Sequence, residues 1–275
     1  MTRQKNTYCQ IYLKDFIKQH HPIFQKAAHI NPLYHHTQVL ENMIKIVTGE
    51  QLIYSEIKRA SVLALLHDIG NAEYIKEKVK NSQIEDAITH AQQHDDPTHW
   101  NIVTQLAEKA MAFRLEHMDK GVGMIQQLSS PFVKESMLTD EDIHFICRAV
   151  AIHDYPSIEK SLHKLRESGY TSQYVQGDFL LPFDTTPFGQ LITYLREADR
   201  LFMVTEQGVI KDLKDGKKEI THNNKVLKLE SNEKSHRNEY TLYVKAGKDD
   251  GKFICETLYR TKTGYSLFQK YIEQK

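Results

Sequence analysis

Two histidine–aspartate pairs stand at the ends of apolar runs: His67-Asp68 in "ALLHDIGN" and His153-Asp154 in "ICRAVAIHDYP". Carboxylates are seldom buried without a partner, and an unpaired one in an apolar wall is costly. Such a pair therefore sits at a helix end in water or beside a cation. The helix-end reading is the plainer one, because a cationic histidine suits a helix C-terminus and Gly70 can end a helix. Company favours the cation. His36 lies just ahead of the amphipathic run "TQVLENMIKIV", and His117 separates two apolar helical runs. Asp199 sits in "YLREADRLF", beside an apolar face of Leu195, Leu201 and Phe202. Imidazole and carboxylate donors together suit iron, manganese, zinc or nickel. Thiolates are missing from this set, which argues against a structural zinc knot. A third pair, His94-Asp95, is followed by Asp96-Pro97 in polar surroundings and reads as a solvated loop.

These side chains need rigid elements to hold them, and the periodicity supplies helices. Ile11, Leu13, Phe16 and Ile17 share a face between Thr7 and Phe16. Val39, Leu40, Met43, Ile44 and Val47 recur at helical spacing up to Gly49. Ser55 is an N-cap candidate for the run that ends at His67. Further helices are predicted over Asn101 to Leu115, Lys120 to Leu128 and Thr139 to Ile152, the last opening with the acidic "TDED". Another starts after Pro187 and fades at Gly208. The polar, histidine-rich stretch from Asn81 to Trp100 reads as an insertion or lid. The fold class expected is mainly α: a helical domain over 7–207. After it, turn signals at Asp215-Gly216 and Asn223-Asn224 and runs rich in Tyr, Thr, Val and Phe predict a small strand-containing appendage over 208–275, closed by a short terminal helix.

The order His, His-Asp, His, His, Asp resembles the HD-domain superfamily of metal-dependent phosphohydrolases, over about residues 30 to 205. "YHHTQVLENM" is similar to the opening histidine helix of that superfamily, "LALLHDIGN" to its signature and "LREADRL" to its final aspartate helix. The resemblance implies an HD-type helical bundle and a first metal held by His36, His67, Asp68 and Asp199. It also implies that Asp68 bridges to a second metal bound by His117 and His153, as in members with a dinuclear centre. Asp154 falls where some of those members carry a further histidine, so it is expected as a ligand or a neighbour of one. His36 is preferred to His35 because it keeps Leu40, Met43 and Val47 in phase with the core face; His35 would then contact substrate. Two departures weigh on the substrate. Asn71 stands where many cyclic-di-GMP phosphodiesterases of the superfamily have lysine, and the acidic pair that follows the signature in (p)ppGpp hydrolases is missing.

The activity implied is hydrolysis of a phosphomonoester or phosphodiester, nucleotide-like, by a metal-activated water. Two divalent ions drawn from Mn, Fe, Mg, Ni or Zn would serve, with Asp68 orienting the water. Lys120, Arg114 and Arg200 are the expected cationic partners of phosphate oxygens. The alternative is a di-iron oxygenase of the same superfamily acting on a small polyol or phosphonate; a non-catalytic module with a decayed centre is a third reading. No Gly-rich phosphate loop supports ATP-driven or hydride chemistry, and the cysteines lack a nucleophile's setting.

Composition sets the remaining bounds. The 275 residues carry 36 Lys plus Arg against 36 Asp plus Glu, so no bulk charge steers the chain to nucleic acid or an anionic membrane. Cys9, Cys147 and Cys255 are far apart and odd in number, which fits a reducing, cytoplasmic interior and no disulfide framework. There is neither a signal-type apolar segment near Met1 nor a run long enough to span a bilayer. The partner expected is a small-molecule phosphate ester, with a homodimer left open.

Overall fold

The computed structural model describes residues 2–28, 33–73, 79, 81–94, 97–135, 137–155, 158, 162, 166, 179–203, 219–222, 225–228 and 259–273. The lysine-rich run after Gly208, most of the expected strands and Asp95 lie outside them.

The described chain is mainly helical, with α1 Thr2–Gln19, α2 His21–Ala27, α3 Leu33–Gly49 and α4 Tyr54–Leu66 in its first quarter. A 3₁₀ turn, Ile69–Glu73, follows; then come α5 Asn81–His94, α6 Pro97–Leu128, α7 Ser130–Lys134 and α8 Asp140–Val150. Next are α9 Pro187–Met203, the antiparallel strands β1 Glu219–His222 and β2 Lys225–Lys228, and α10 Lys262–Glu273. Among the described residues no helix is long and apolar enough to cross a membrane.

The main core forms where α3 is clasped between α4 and α9. Val39, Met43, Ile46 and Val47 meet Leu63, Leu65 and Leu66 and, from α9, Leu195, Ala198 and Phe202, all buried. Asn42 fixes the α3–α9 contact with a polar tie, donating from Nδ2 to the carbonyl of Ala198 at 3.1 Å. Tyr259 and Phe268 enter the same core, and the Tyr271 hydroxyl donates to Asn42 Oδ1 at 2.9 Å. The terminal helix is thus joined to the element that carries Asp199.

Several local expectations are corrected. Asn101–Leu115 and Lys120–Leu128 are parts of one 32-residue helix, because Glu116, His117 and Asp119 interrupt the apolar run without any glycine or proline stop before Gly121. The stretch expected as an insertion or lid is helical over Asn81–His94. Its Ile84, Ile88 and Ala91 bury against Val103, Ala107 and Met111 of α6 in a second, smaller core. That period was diluted by the polar residues between. Helix α4 starts at Tyr54, so Ser55 is not its cap; Glu56 closes the first turn by accepting from the Ile53 amide at 3.0 Å. Thr139 caps α8 as a threonine should, accepting from the Asp142 amide at 3.2 Å.

Candidate metal centre

Helix α4 ends at Leu66, and His67 and Asp68 follow as its last turn loosens. A helix end leaves carbonyls without intrahelical donors. Two imidazoles meet that need: His67 Nδ1 donates to the Ala64 carbonyl at 2.8 Å, and His36 Nδ1 to that of Leu65 at 3.0 Å. The 3₁₀ turn then presses on α6. A methyl at Gly70 would overlap the backbone of His117 and Gly121, so only glycine lets the turn approach this closely. This contact carries Asp68 to His117.

Asp68 is the hub. Its Oδ2 lies 3.2 Å from His35 Nε2 and 3.4 Å from His67 Nε2. Its Oδ1 lies 3.1 Å from His153 Nε2 and 3.7 Å from His117 Nε2. One carboxylate oxygen therefore faces each pair of histidines. Donor atoms of His35, His67 and Asp68 lie within 4.8 Å of one another, and so do those of Asp68, His117 and His153. Asp199 Oδ1 borders the first group, 3.6 Å from His35 Nε2 and 4.0 Å from His67 Nε2. Asp199 is the open side of the centre: its side chain is 31% exposed, against 10% for Asp68.

The tautomers follow from the outer nitrogens. His67, His117 and His153 each direct Nδ1 at a backbone carbonyl, of Ala64, Phe113 and Val150 respectively. An N–H must sit there, so in the neutral ring Nε2 carries a lone pair aimed inward. His67 Nε2 lies 3.2 Å from His35 Nε2, and His117 Nε2 lies 3.4 Å from His153 Nε2. Inward lone pairs this close, beside a shared carboxylate, need protons or cations between them. Burial, the largest influence, lowers the pKa of His67 against the opposing pull of Asp68, so this ring stays neutral. Burial alone would raise the Asp68 carboxyl, yet His67 and hydrogen bonds to His117, His153 and His35 hold it well below the ordinary range. Burial likewise opposes charge on His153, but the hydrogen bond and charge of Asp68 prevail and raise its pKa. A buried, ionised carboxylate shared by four imidazoles is a donor set that can hold metal ions.

Not every expected residue joins it. His35, not His36, presents its Nε2 to Asp68. His36 is fully buried with its ring edge-on to Phe24, centroids 5.6 Å apart, and burial drives its pKa down to about 3. The choice of His36 rested on phase with Leu40, Met43 and Val47, which form the oily stripe of α3. The centre faces the neighbouring stripe of His35, Val39, Asn42 and Ile46, also buried, which meets α9 through Asn42. Asp154 belongs to neither donor group and binds Arg114, Nη1 to Oδ2 at 2.5 Å. Arg114 is thereby engaged with a carboxylate. Lys120 pairs with Glu116 at 3.0 Å and donates to the Glu73 carbonyl at 3.2 Å. Arg200 is half-buried and does not line the cleft over the centre. That cleft is lined by His67, His153, Leu181, Ile192, Leu195, Arg196 and Asp199. Arg196 is the cation that sequence reading passed over; its place three residues before Asp199, on the same helical face, was the available signal.

No family model, no curated protein and no solved structure matches this chain. The chain's own geometry makes it a mainly helical protein with a buried histidine–aspartate cluster able to bind metal.

Proposed function

We propose that the protein is a metal-dependent phosphohydrolase of the HD type, cleaving a nucleotide-like phosphomonoester or phosphodiester. The observation that carries this reading is the pairing of inward imidazole nitrogens on either oxygen of Asp68, at 3.2 Å in one pair and 3.4 Å in the other. His35, His67, Asp68 and Asp199 would hold one divalent ion, and Asp68, His117 and His153 a second. Bound there, such ions supply a low-pKa water and an electrophile for a phosphoryl oxygen.

The chain's own residues have complementary tasks. Asp68 fixes the spacing of the two groups because one rigid carboxylate serves both. The backbone carbonyls of Ala64, Phe113 and Val150 orient three imidazoles before any ligand arrives, which is the preorganisation a reaction centre requires. Arg196 stands at the cleft wall, Nη1 4.0 Å from Asp199 Oδ2, where a guanidinium can meet a phosphate oxygen. Leu181, Ile192 and Leu195 give the leaving group an apolar wall and limit stray water.

The test begins with elemental analysis of protein purified without added metal. A panel of nucleotides and phosphodiesters with Mn²⁺, Fe²⁺, Mg²⁺, Ni²⁺ or Zn²⁺ follows. Metal-dependent phosphate or alcohol release that disappears in Asp68→Ala is the expected result. A metal-loaded protein that releases no product from any ester would defeat the proposal, and oxygen consumption by the iron form would point to oxygenase chemistry instead.

A further inference from the structure

Outside the central cluster, three more histidines come together at the closed end of the α5–α6 hairpin. His90 and His94 lie one turn apart on α5, and His99 stands in the first turn of α6. Their ring centres are 4.4 Å apart for His90–His94, 4.7 Å for His90–His99 and 5.3 Å for His94–His99. We propose that His90, His94 and His99 form a second, peripheral site for a borderline first-row cation, with zinc the reference ion.

Ligand geometry supports the assignment. With a metal–nitrogen distance of about 2.0–2.1 Å, an imidazole centre lies about 3.2 Å from its ion. Two such rings at bond angles between about 90° and 110° have centres about 4.5–5.2 Å apart. The 4.7 Å His90–His99 separation falls inside that interval, and those of 4.4 and 5.3 Å lie just outside it. Histidines at i and i+4 on one helical face are a recurrent zinc-binding pair. The third ligand comes from the neighbouring helix, so an ion here would cross-link α5 to α6. The small core of Ile84, Ile88, Val103 and Ala107 fixes the two helices side by side and places the trio without help from the ion. Among the described residues only the two central groups have donor atoms gathered within 4.8 Å, so loading the trio requires rings to turn. His90 and His94 are exposed and His99 half-buried, which leaves room for a change of rotamer. Imidazole-only ligation favours zinc, nickel, cobalt or copper(II) over magnesium or calcium.

This inference is independent of the phosphohydrolase reading, and its test keeps the two apart. The full chain is stripped with a chelator, titrated with zinc alone, and its bound metal counted after gel filtration. The His90→Ala/His94→Ala/His99→Ala variant should hold one equivalent fewer than the parent, while Asp68→Ala should retain that equivalent and lose metal at the centre. Circular dichroism checks that each variant keeps its helices. Should the triple change unfold the hairpin, His94→Gln alone serves, with at least a tenfold weaker peripheral binding expected. Unchanged stoichiometry and affinity in a folded variant, triple or single, would overturn the proposal whatever the centre does.

Discussion

His67-Asp68 and His153-Asp154 are the same dipeptide at the ends of two apolar helices, yet their carboxylates go opposite ways. The histidines behave alike: each donates from Nδ1 to the carbonyl three residues earlier at 2.8 Å, and each sends Nε2 to Asp68. A helix C-terminus with open carbonyls imposes that geometry on either ring. The aspartates differ through their neighbours. Gly70 lets the turn after Asp68 press on α6, and the carboxylate meets four imidazoles. Asp154 is taken by Arg114, a cation on the same α6 three residues before His117. Two identical sequence signals thus yield one hub and one structural ion pair.

The sharpest way to break the comparison is to remove each carboxylate in turn. Asp68→Ala should empty both metal groups and, on the phosphohydrolase proposal, reduce turnover by more than roughly 100-fold, beyond the usual effect of an outer partner. Asp154→Ala should keep most of the metal and instead lower stability by roughly 2 kcal/mol, since Arg114 loses its charged partner. Metal counts and denaturant curves on the two variants decide; equal metal loss from both would erase the distinction.

Gly70→Ala probes the cause of the difference. The added methyl meets the α6 backbone rather than a flexible side chain, so a loss of about 3 kcal/mol is expected, with weakened binding at the His117–His153 group. A stable variant with full metal content would show that the close approach is dispensable.

The two adjacent histidines of α3 give a finer contrast. His35→Ala should deplete the first metal group as well as leave a cavity beside Phe202. His36→Ala should keep that metal and cost about 2 kcal/mol through a cavity beside Phe24 and an uncapped Leu65 carbonyl. The same depletion from both changes would mean that the register assigned to α3 is wrong.

Asp142 offers the mildest test, as a second carboxylate held by arginine. Burial would raise its pKa, but the Thr139 amide and hydroxyl and the guanidinium of Arg59, 2.5 Å away, bring it below the ordinary value. A depressed carboxyl stabilises the fold above its unfolded pKa of about 3.9 and loses that contribution as pH falls through the folded value. Asp142→Asn should therefore lower stability by about 1 kcal/mol at neutral pH and flatten the acid limb of the stability profile. An unaltered acid limb would remove Asp142 from the account.

Much of this was legible beforehand because helices repeat. The apolar periods of α3, α4, α8 and α9 were visible, as were the histidines and aspartates set at their ends. The hairpin of α5 and α6 was less visible, since Ile84 and Ile88 are nearly the whole of its signal on the α5 side. The single long α6 was hidden by charged residues that a helix tolerates on its wet face.

What the sequence by itself determined is local: helical periods, an acidic helix start at "TDED", a helix end near Gly70, and a set of donor types suited to metal. Choosing His35 over His36, Asp68 over Asp154 and Arg196 over Arg200 belonged to the tertiary structure. The members of each pair are the same residue type and differ in what their side chains face. What each faces depends on which helix lies opposite, and facing helices are brought together by burial of apolar surface far away in sequence.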